Sequence, residues 1–269
     1  NFRKGRNMRS IEVFKRHLRE KRAIKIISGI DNYNLDNVKK VVSAAQMGLA
    51  SAVDVACDKA VFDTAVKNTS LPIFVSSIHP FKLAQAVEWG ADAIEIGNFD
   101  ALYEKGQSFS ADEVYEITLE TMSLLEGKDI FICVTIPGNI DIKEQIEVAK
   151  KLELLGVDLI QTEGMKPKGV KNVGAKALLE TAQATIGNTL ELSRHVSIPV
   201  MSASGISAQT TPLAFAAGAS AVGVGSAVNK LDTQIEMVAT IRNIVASVSQ
   251  RNSLNREYAR NSKELEMLK

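Results

Sequence analysis

The chain has 269 residues, 45% of them hydrophobic and 23% charged, with a formal net charge of +1. That balance excludes disorder as the main state and is enough for a large core, while the near-neutral total offers no broad electrostatic footprint for nucleic acid or a membrane surface. No apolar run approaches the roughly 18 residues of a membrane span, and Cys57 and Cys133, each inside an apolar run, offer neither a disulfide framework nor zinc spacing.

The chain opens on a basic stretch in which Arg3, Lys4, Arg6, Arg9, Lys15 and Arg16 far outweigh Glu12 and Glu20. Within it, Met8 to Arg22 reads as one amphipathic helix whose stripe is Ile11, Phe14 and Leu18, suited to plugging the amino-terminal end of a barrel. Its charged face is either a solvated surface or a docking arm for a protein complex.

Eight β-rich runs follow: Ala23–Gly29, Ala52–Cys57, Leu71–Ser77, Ala93–Asn98, Asp129–Ile136, Leu159–Gly164, Ile198–Ser204 and Ala221–Ala227. They alternate with helical patterns at Leu35–Met47, Lys59–Lys67, Pro80–Trp89, Ser110–Leu125, Ile142–Leu155, Gly174–His195, Gln209–Ala217 and Asp232–Val248. Repeated βα units make a parallel sheet, and eight of them in this length predict a (β/α)₈ TIM barrel. The predicted divisions are a basic amino-terminal extension and helix (1–22), the barrel (23–248) and a charged carboxy-terminal tail (249–269). Gly48, Gly90, Gly156 and Gly218 each precede an even-numbered strand, where a left-handed glycine can end a helix.

In such a barrel the functional groups project from the carboxyl ends of the strands. At the last two ends, Ser204, Gly205 and Ile206 form one turn and Gly223, Gly225 and Ser226 another, letting backbone N–H groups approach an anion. A short helix starting near Ser226 adds its positive dipole end, and the predicted ligand is a small phosphorylated molecule. The glycine spacing lacks the third glycine of a dinucleotide site, so a Rossmann reading fails.

A second set comprises charged residues where a buried strand should be apolar: Lys25, Asp54 and Glu95. Their Ile and Val neighbours suit the helix-facing side, which turns all three into the barrel lumen. Two readings stand: a structural ion network filling the barrel, or proton transfer at carbon with a carboxylate as base and Lys25 stabilising the developing negative charge. Glu163, at the end of the sixth run, joins these as a candidate catalytic acid or base. Small polar residues at other strand ends, among them Asn98, Thr135 and Gln161, suit a hydroxylated ligand, and the stretch 164–174, with Lys166, Lys168 and Lys171, suits a lid. His17, His79 and His195 are too scattered for a metal triad, and there is no Walker sequence or nucleophile elbow. No cofactor and no metal are expected.

These stretches carry a resemblance. Ile26-Ile-Ser-Gly-Ile-Asp-Asn32, Val53-Asp-Val-Ala-Cys-Asp58, Ile94-Glu-Ile-Gly-Asn98, Leu159-Ile-Gln-Thr-Glu-Gly164, Ile198-Pro-Val-Met-Ser-Ala-Ser-Gly205 and Val222-Gly-Val-Gly-Ser-Ala-Val-Asn229 resemble the hypothetical chloroplast reading frame 23 family. The resemblance implies a phosphate-binding barrel in a plastid, with cyanobacterial cytoplasm as the alternative setting. It brings no established reaction. It leaves open an isomerase, lyase or aldolase on one side, and a non-catalytic binding or assembly subunit of a plastid complex on the other. The lysine-rich stretch after Gly164, beginning with Met165, departs from the small polar residues of the family.

Overall fold

The computed structural model describes residues 10–103, 105–164 and 175–249. Helix α1 (Ile11–Arg19) leads into β1 (Ala23–Ile27), followed by α2 (Leu35–Met47), β2 (Ala52–Ala56), α3 (Lys59–Asn68), β3 (Ile73–Ser77), α4 (Pro80–Trp89) and β4 (Ala93–Ile96). The second half runs α5 (Asp100–Tyr103), α6 (Ala111–Leu124), β5 (Phe131–Ile136), α7 (Ile142–Leu155), β6 (Leu159–Thr162), α8 (Ala175–His195) and β7 (Val200–Ser202). It ends with α9 (Thr211–Ala216), β8 (Ala221–Val224) and α10 (Ser226–Asn229), then α11 over residues 234–249. All eight strands pair in sequence order, and β8 returns to β1 to close the barrel. Every ladder is parallel, so no strand has a free edge.

Strand periodicity sorts the side chains into two cores. The β-branched residues, such as Ile26, Val55, Ile94 and Val134, face outward into the helix layer. The alternate residues face the lumen, where the amino-terminal half is apolar: Phe74, Phe131, Leu159 and Met201 pack with small alanines from β1, β2, β4 and β8. Parity predicted from the Ile and Val neighbours therefore holds for Lys25, Asp54 and Glu95, which are all but completely buried in the lumen.

Helix α1 plugs the amino-terminal end, as its stripe predicts. Its described helical span is Ile11–Arg19 rather than Met8 to Arg22, because the chain leaves the helix at Lys21 (φ 50°) to enter β1. Phe14 is fully buried, edge-on to Phe74 at 5.0 Å and to Phe131 at 6.0 Å between ring centroids. Phe14→Leu discards both ring contacts, and we expect it to cost about 1–3 kcal/mol, read as a lower urea midpoint at unchanged slope. A parental midpoint would deny the plug any energetic role.

Three of the four glycines before even-numbered strands adopt the expected left-handed backbone: Gly90 (φ 95°), Gly156 (φ 98°) and Gly218 (φ 107°). Gly48 does not. It stays right-handed at φ −79°, and Leu49 takes the positive φ of 68° instead. Glycine is required at 48 for clearance, since a Cβ there would stand 2.4 Å from Ile241 Cγ2 of α11.

Two further differences concern the mouth. The one-turn α5 between β4 and α6 has no counterpart among the predicted helices, being too short to show a period. The proposed lid lies outside the described residues beyond Gly164, as do the departure at Met165, the basic residues of 1–9 and the tail from 250 onward. Cys133 is buried as expected, whereas Cys57 is only partly so. No helix among the described residues is long and apolar enough to cross a membrane.

Candidate functional site

The carboxyl ends of the strands surround a cavity of about 830 Å³ whose wall includes Asn98, Gln161, Glu163, Gly205, Gly225 and Ser226. Beneath it lies the charged layer. Lys25 Nζ donates to Glu95 Oε2 and sits 3.1 Å from Asp54 Oδ2, with the Phe74 ring centroid 5.0 Å away on the apolar side. Burial pulls the Lys25 ammonium down, but the Glu95 and Asp54 carboxylates outweigh it and hold it above the ordinary lysine range. Burial raises Glu95 in spite of the pull from Lys25, and the Asp54 charge adds to the rise. One ammonium between two carboxylates leaves a surplus negative charge, which is why the two acids do not ionise independently.

Polar groups of the next layer complete the network. Ser76 Oγ donates to Asp54 Oδ1, and Asn98 Nδ2 donates to Asp54 Oδ2 at 2.9 Å and to Ser76 Oγ at 3.0 Å. Thr135 Oγ1 donates to Glu95 Oε1 at 2.9 Å. Gln161 Nε2 in turn donates to Asn98 Oδ1 at 2.7 Å and to Thr135 Oγ1 at 3.0 Å. Asn98 reaches this position because the chain bends at Gly97 (φ 125°) and at Asn98 itself (φ 67°). Glycine is obligatory at 97, where a Cβ would stand 2.5 Å from Thr135 Cβ.

Lys25, Asp54 and Glu95 are thus brought together, but none of them lines the cavity; the amide layer of Asn98 and Gln161 does. Glu163 is the one residue of the predicted acid and base set in the cavity wall. It is 2% exposed and accepts from the Asp100 N–H at 3.3 Å, while Tyr103 Oη donates to its other oxygen at 3.5 Å. Burial raises its carboxyl well above the usual range, and the neighbouring Asp100 charge adds to the rise. Burial, then the charges of Glu163 and Asp100, also raise the Tyr103 phenol. Asp100 itself accepts from Ser204 Oγ and shares the cavity wall. Asp100 and Tyr103 sit on α5, which is why periodicity did not find them; the signal available was an acid two residues beyond the end of the fourth run.

The two turns follow the neighbouring strands β7 and β8. Ser204 (φ 74°) and Gly205 (φ 70°) are consecutive left-handed residues, a conformation that swings successive N–H groups toward one side. Ser204, Gly205, Ile206, Gly225 and Ser226 all line the cavity. No hydrogen bond among the described residues uses the N–H of Gly205, Ile206 or Ser226. The predicted short helix is present as α10, and its Asn229 ties the turn to β1 by donating to the carbonyls of Ile27 and Ser28 at 3.0 and 3.1 Å. Gly223 departs from the expected arrangement. It lies deeper, where a Cβ would stand 3.0 Å from Ala203 Cβ and 3.2 Å from Gln161 Oε1, and it is absent from the cavity wall. The described residues contain no group of three or more His, Cys, Asp or Glu able to hold a metal ion.

Among solved structures, the fold is similar to (S)-3-O-geranylgeranylglyceryl phosphate synthase from Thermoplasma acidophilum, with a TM-score of 0.56 at 17% identity over 88% of this chain and 98% of that one. It is also similar to 3-hexulose-6-phosphate synthase from Salmonella typhimurium, with a TM-score of 0.58 at 15% identity over 85% and 99% of the two chains. At these identities the likeness establishes the barrel and nothing finer. Sequence relatives are nearer: the uncharacterized protein ycf23 of Cyanophora paradoxa is 38% identical over 233 residues, covering 86% of this chain and 95% of its own. That of Antithamnion sp. is 37% identical over 241 residues, covering 86% of each. Residues 8–254 match the family described as "Protein of unknown function (DUF561)", and with these relatives aligned along nearly all of the barrel, the chain belongs to that family, in keeping with the reading-frame 23 resemblance of its motifs.

Proposed function

We propose that the barrel binds a small phosphorylated metabolite at its carboxyl-terminal mouth and acts on it by proton transfer, as an isomerase, lyase or aldolase that needs no bound cofactor. The observation that carries this reading is the set of unclaimed N–H groups of Gly205, Ile206 and Ser226 on one wall of the cavity. Backbone donors without partners among the described residues at such a wall suit an anion, and the last two strand ends are the usual phosphate position of this barrel. Two structures of similar fold support it by what they are named for, one being in complex with sn-glycerol-1-phosphate and the other a synthase of a hexulose phosphate.

Of the residues assigned to catalysis, Glu163 is the group placed to touch a ligand, at the end of β6 beside the β7 turn and holding its proton to higher pH than an ordinary carboxyl. Lys25, Asp54 and Glu95 act through Asn98 and Gln161 as positioning residues, and Gly223 serves as clearance beside Gln161. A second reading, a non-catalytic binding or assembly subunit docked through its basic amino terminus, is favoured by one observation: the charged trio is satisfied within the barrel and does not line the cavity. The name shared by the relatives supports a plastid setting, with cyanobacterial cytoplasm as the alternative.

Gly225→Asp tests the phosphate position. A Cβ there would make only ordinary van der Waals contact, its nearest neighbour being 3.8 Å away, so no side chain need move to admit it. Its carboxylate would stand where the phosphate is placed and repel it. Calorimetric titration with phosphate monoesters should show a loss of affinity on the order of 100-fold, about 2.7 kcal/mol; parental affinity would move the phosphate elsewhere.

A further inference from the structure

The amide of Gln161 is oriented by a chain of obligations that starts at Lys25. The Asp54 carboxylate, paired with the Lys25 ammonium, can only accept, so Asn98 must turn its NH₂ group toward it. Asn98 Oδ1 then needs a donor, and only the NH₂ of Gln161 faces it, at 2.7 Å. That same NH₂ meets Thr135 Oγ1, whose own proton is committed to Glu95. Gln161 is therefore not free to flip, and its Oε1 must point away from the network. The residue is fully buried and lines the floor of the cavity, yet Oε1 has no hydrogen-bond partner among the described residues. It is turned toward Gly223, where a Cβ would stand only 3.2 Å from it.

A buried carbonyl oxygen without a donor costs about 1–3 kcal/mol, and a network that fixes such an oxygen at a cavity floor holds it ready for a ligand. Asp31, Asp100, Glu163 and Glu180 line the cavity against the single ammonium of Lys230 among the described lining residues. Acidic side chains thus outnumber basic ones among the described residues of the cavity wall.

We infer that Gln161 is a specificity-determining residue whose Oε1 accepts a hydrogen bond from a hydroxyl on the carbon skeleton of the ligand, which makes the ligand class a phosphorylated polyol or sugar. This rests on the proposed phosphate grip for the other end of the molecule. A hydroxyl suits a neutral acceptor backed by the Asn98 amide and the Thr135 hydroxyl, because it brings a donor without a charge to be desolvated. Sites that hydrogen-bond a substrate hydroxyl reject the analogue lacking it, since the buried acceptor is then left unmet.

The test is calorimetric titration of the full chain with inorganic phosphate, butyl phosphate, 4-aminobutyl phosphate, erythritol 4-phosphate and free erythritol. Erythritol 4-phosphate should bind at least tenfold more tightly than butyl phosphate. Gln161→Met, similar in size but without the acceptor, should erase that advantage, so that the variant binds the two esters with about equal affinity. Equal affinity of the two esters for the parent protein overturns the inference without any need for the variant, as does an advantage that survives in a folded Gln161→Met protein. Tighter binding of the aminobutyl ester than of the erythritol ester overturns the choice of hydroxyl. Binding of free erythritol with none of the phosphates retains the hydroxyl acceptor and overturns the phosphate grip instead. Silence from all five compounds overturns both.

Discussion

Lys25→Met should lower the stability of the protein by about 3–5 kcal/mol, the usual consequence of leaving buried charges without their counter-ion. Lys25 is fully buried, and its removal strands Asp54 and Glu95 in the lumen with only hydroxyl and amide donors. The loss comes from charge and not from shape, because methionine nearly fills the same volume. Adding Asp54→Asn and Glu95→Gln to Lys25→Met should therefore recover much of it. Chemical denaturation of the single and triple variants makes the comparison. A triple variant no more stable than the single one would show that packing around the lysine stem, against Phe74, carries the effect.

The second large effect belongs to Glu163. Its carboxyl is held above the ordinary value of 4.5 by burial and then by the charge of Asp100, so the folded protein keeps a proton that the unfolded chain releases. Folding then binds protons, and the stability contributed by the protonated group, fully present below about pH 4, is lost as pH rises toward the raised folded value. The slope is at most about 1.4 kcal/mol per pH unit for one proton. Glu163→Gln removes this dependence. The variant should match the parent near pH 4 and become progressively more stable than it by pH 8, measured by urea midpoints across that range. A parent that gains on the variant as pH rises would mean that Glu163 is stabilised as an anion. Chemistry should move the opposite way: with a ketose phosphate in deuterated water, exchange of a carbon-bound hydrogen followed by NMR should slow at least 100-fold in the variant, as loss of an acid–base group requires. Equal exchange in parent and variant removes Glu163 from catalysis.

Much of the barrel was legible because its signals are local. Ile and Val on alternate positions around Lys25, Asp54 and Glu95 place the three in the lumen before any partner is known, and the structure joins them. The turns at Gly205 and Gly225 could likewise be read from glycine alone. What escaped depends on contacts between segments remote in sequence. Gln161 looked like any small polar strand end until β4, β5 and β6 set it beside Asn98 and Thr135. Gly48 and Gly223 looked conformational or ligand-facing, whereas each is required by a neighbour on another element, Ile241 in one case and Ala203 with Gln161 in the other. Asp100 and Tyr103 lie on a single helical turn that has no room for a period. That Lys25, Asp54 and Glu95 sit below the cavity wall could not be read from strand parity, which gives the side a residue faces but not its depth along the axis.

The aromatic plug at the foot of the barrel has a kinetic consequence. With Phe14, Phe74 and Phe131 interlocked there, a molecule at the level of Gln161 sits in a vessel with a closed base. Whatever enters by the mouth must leave by it.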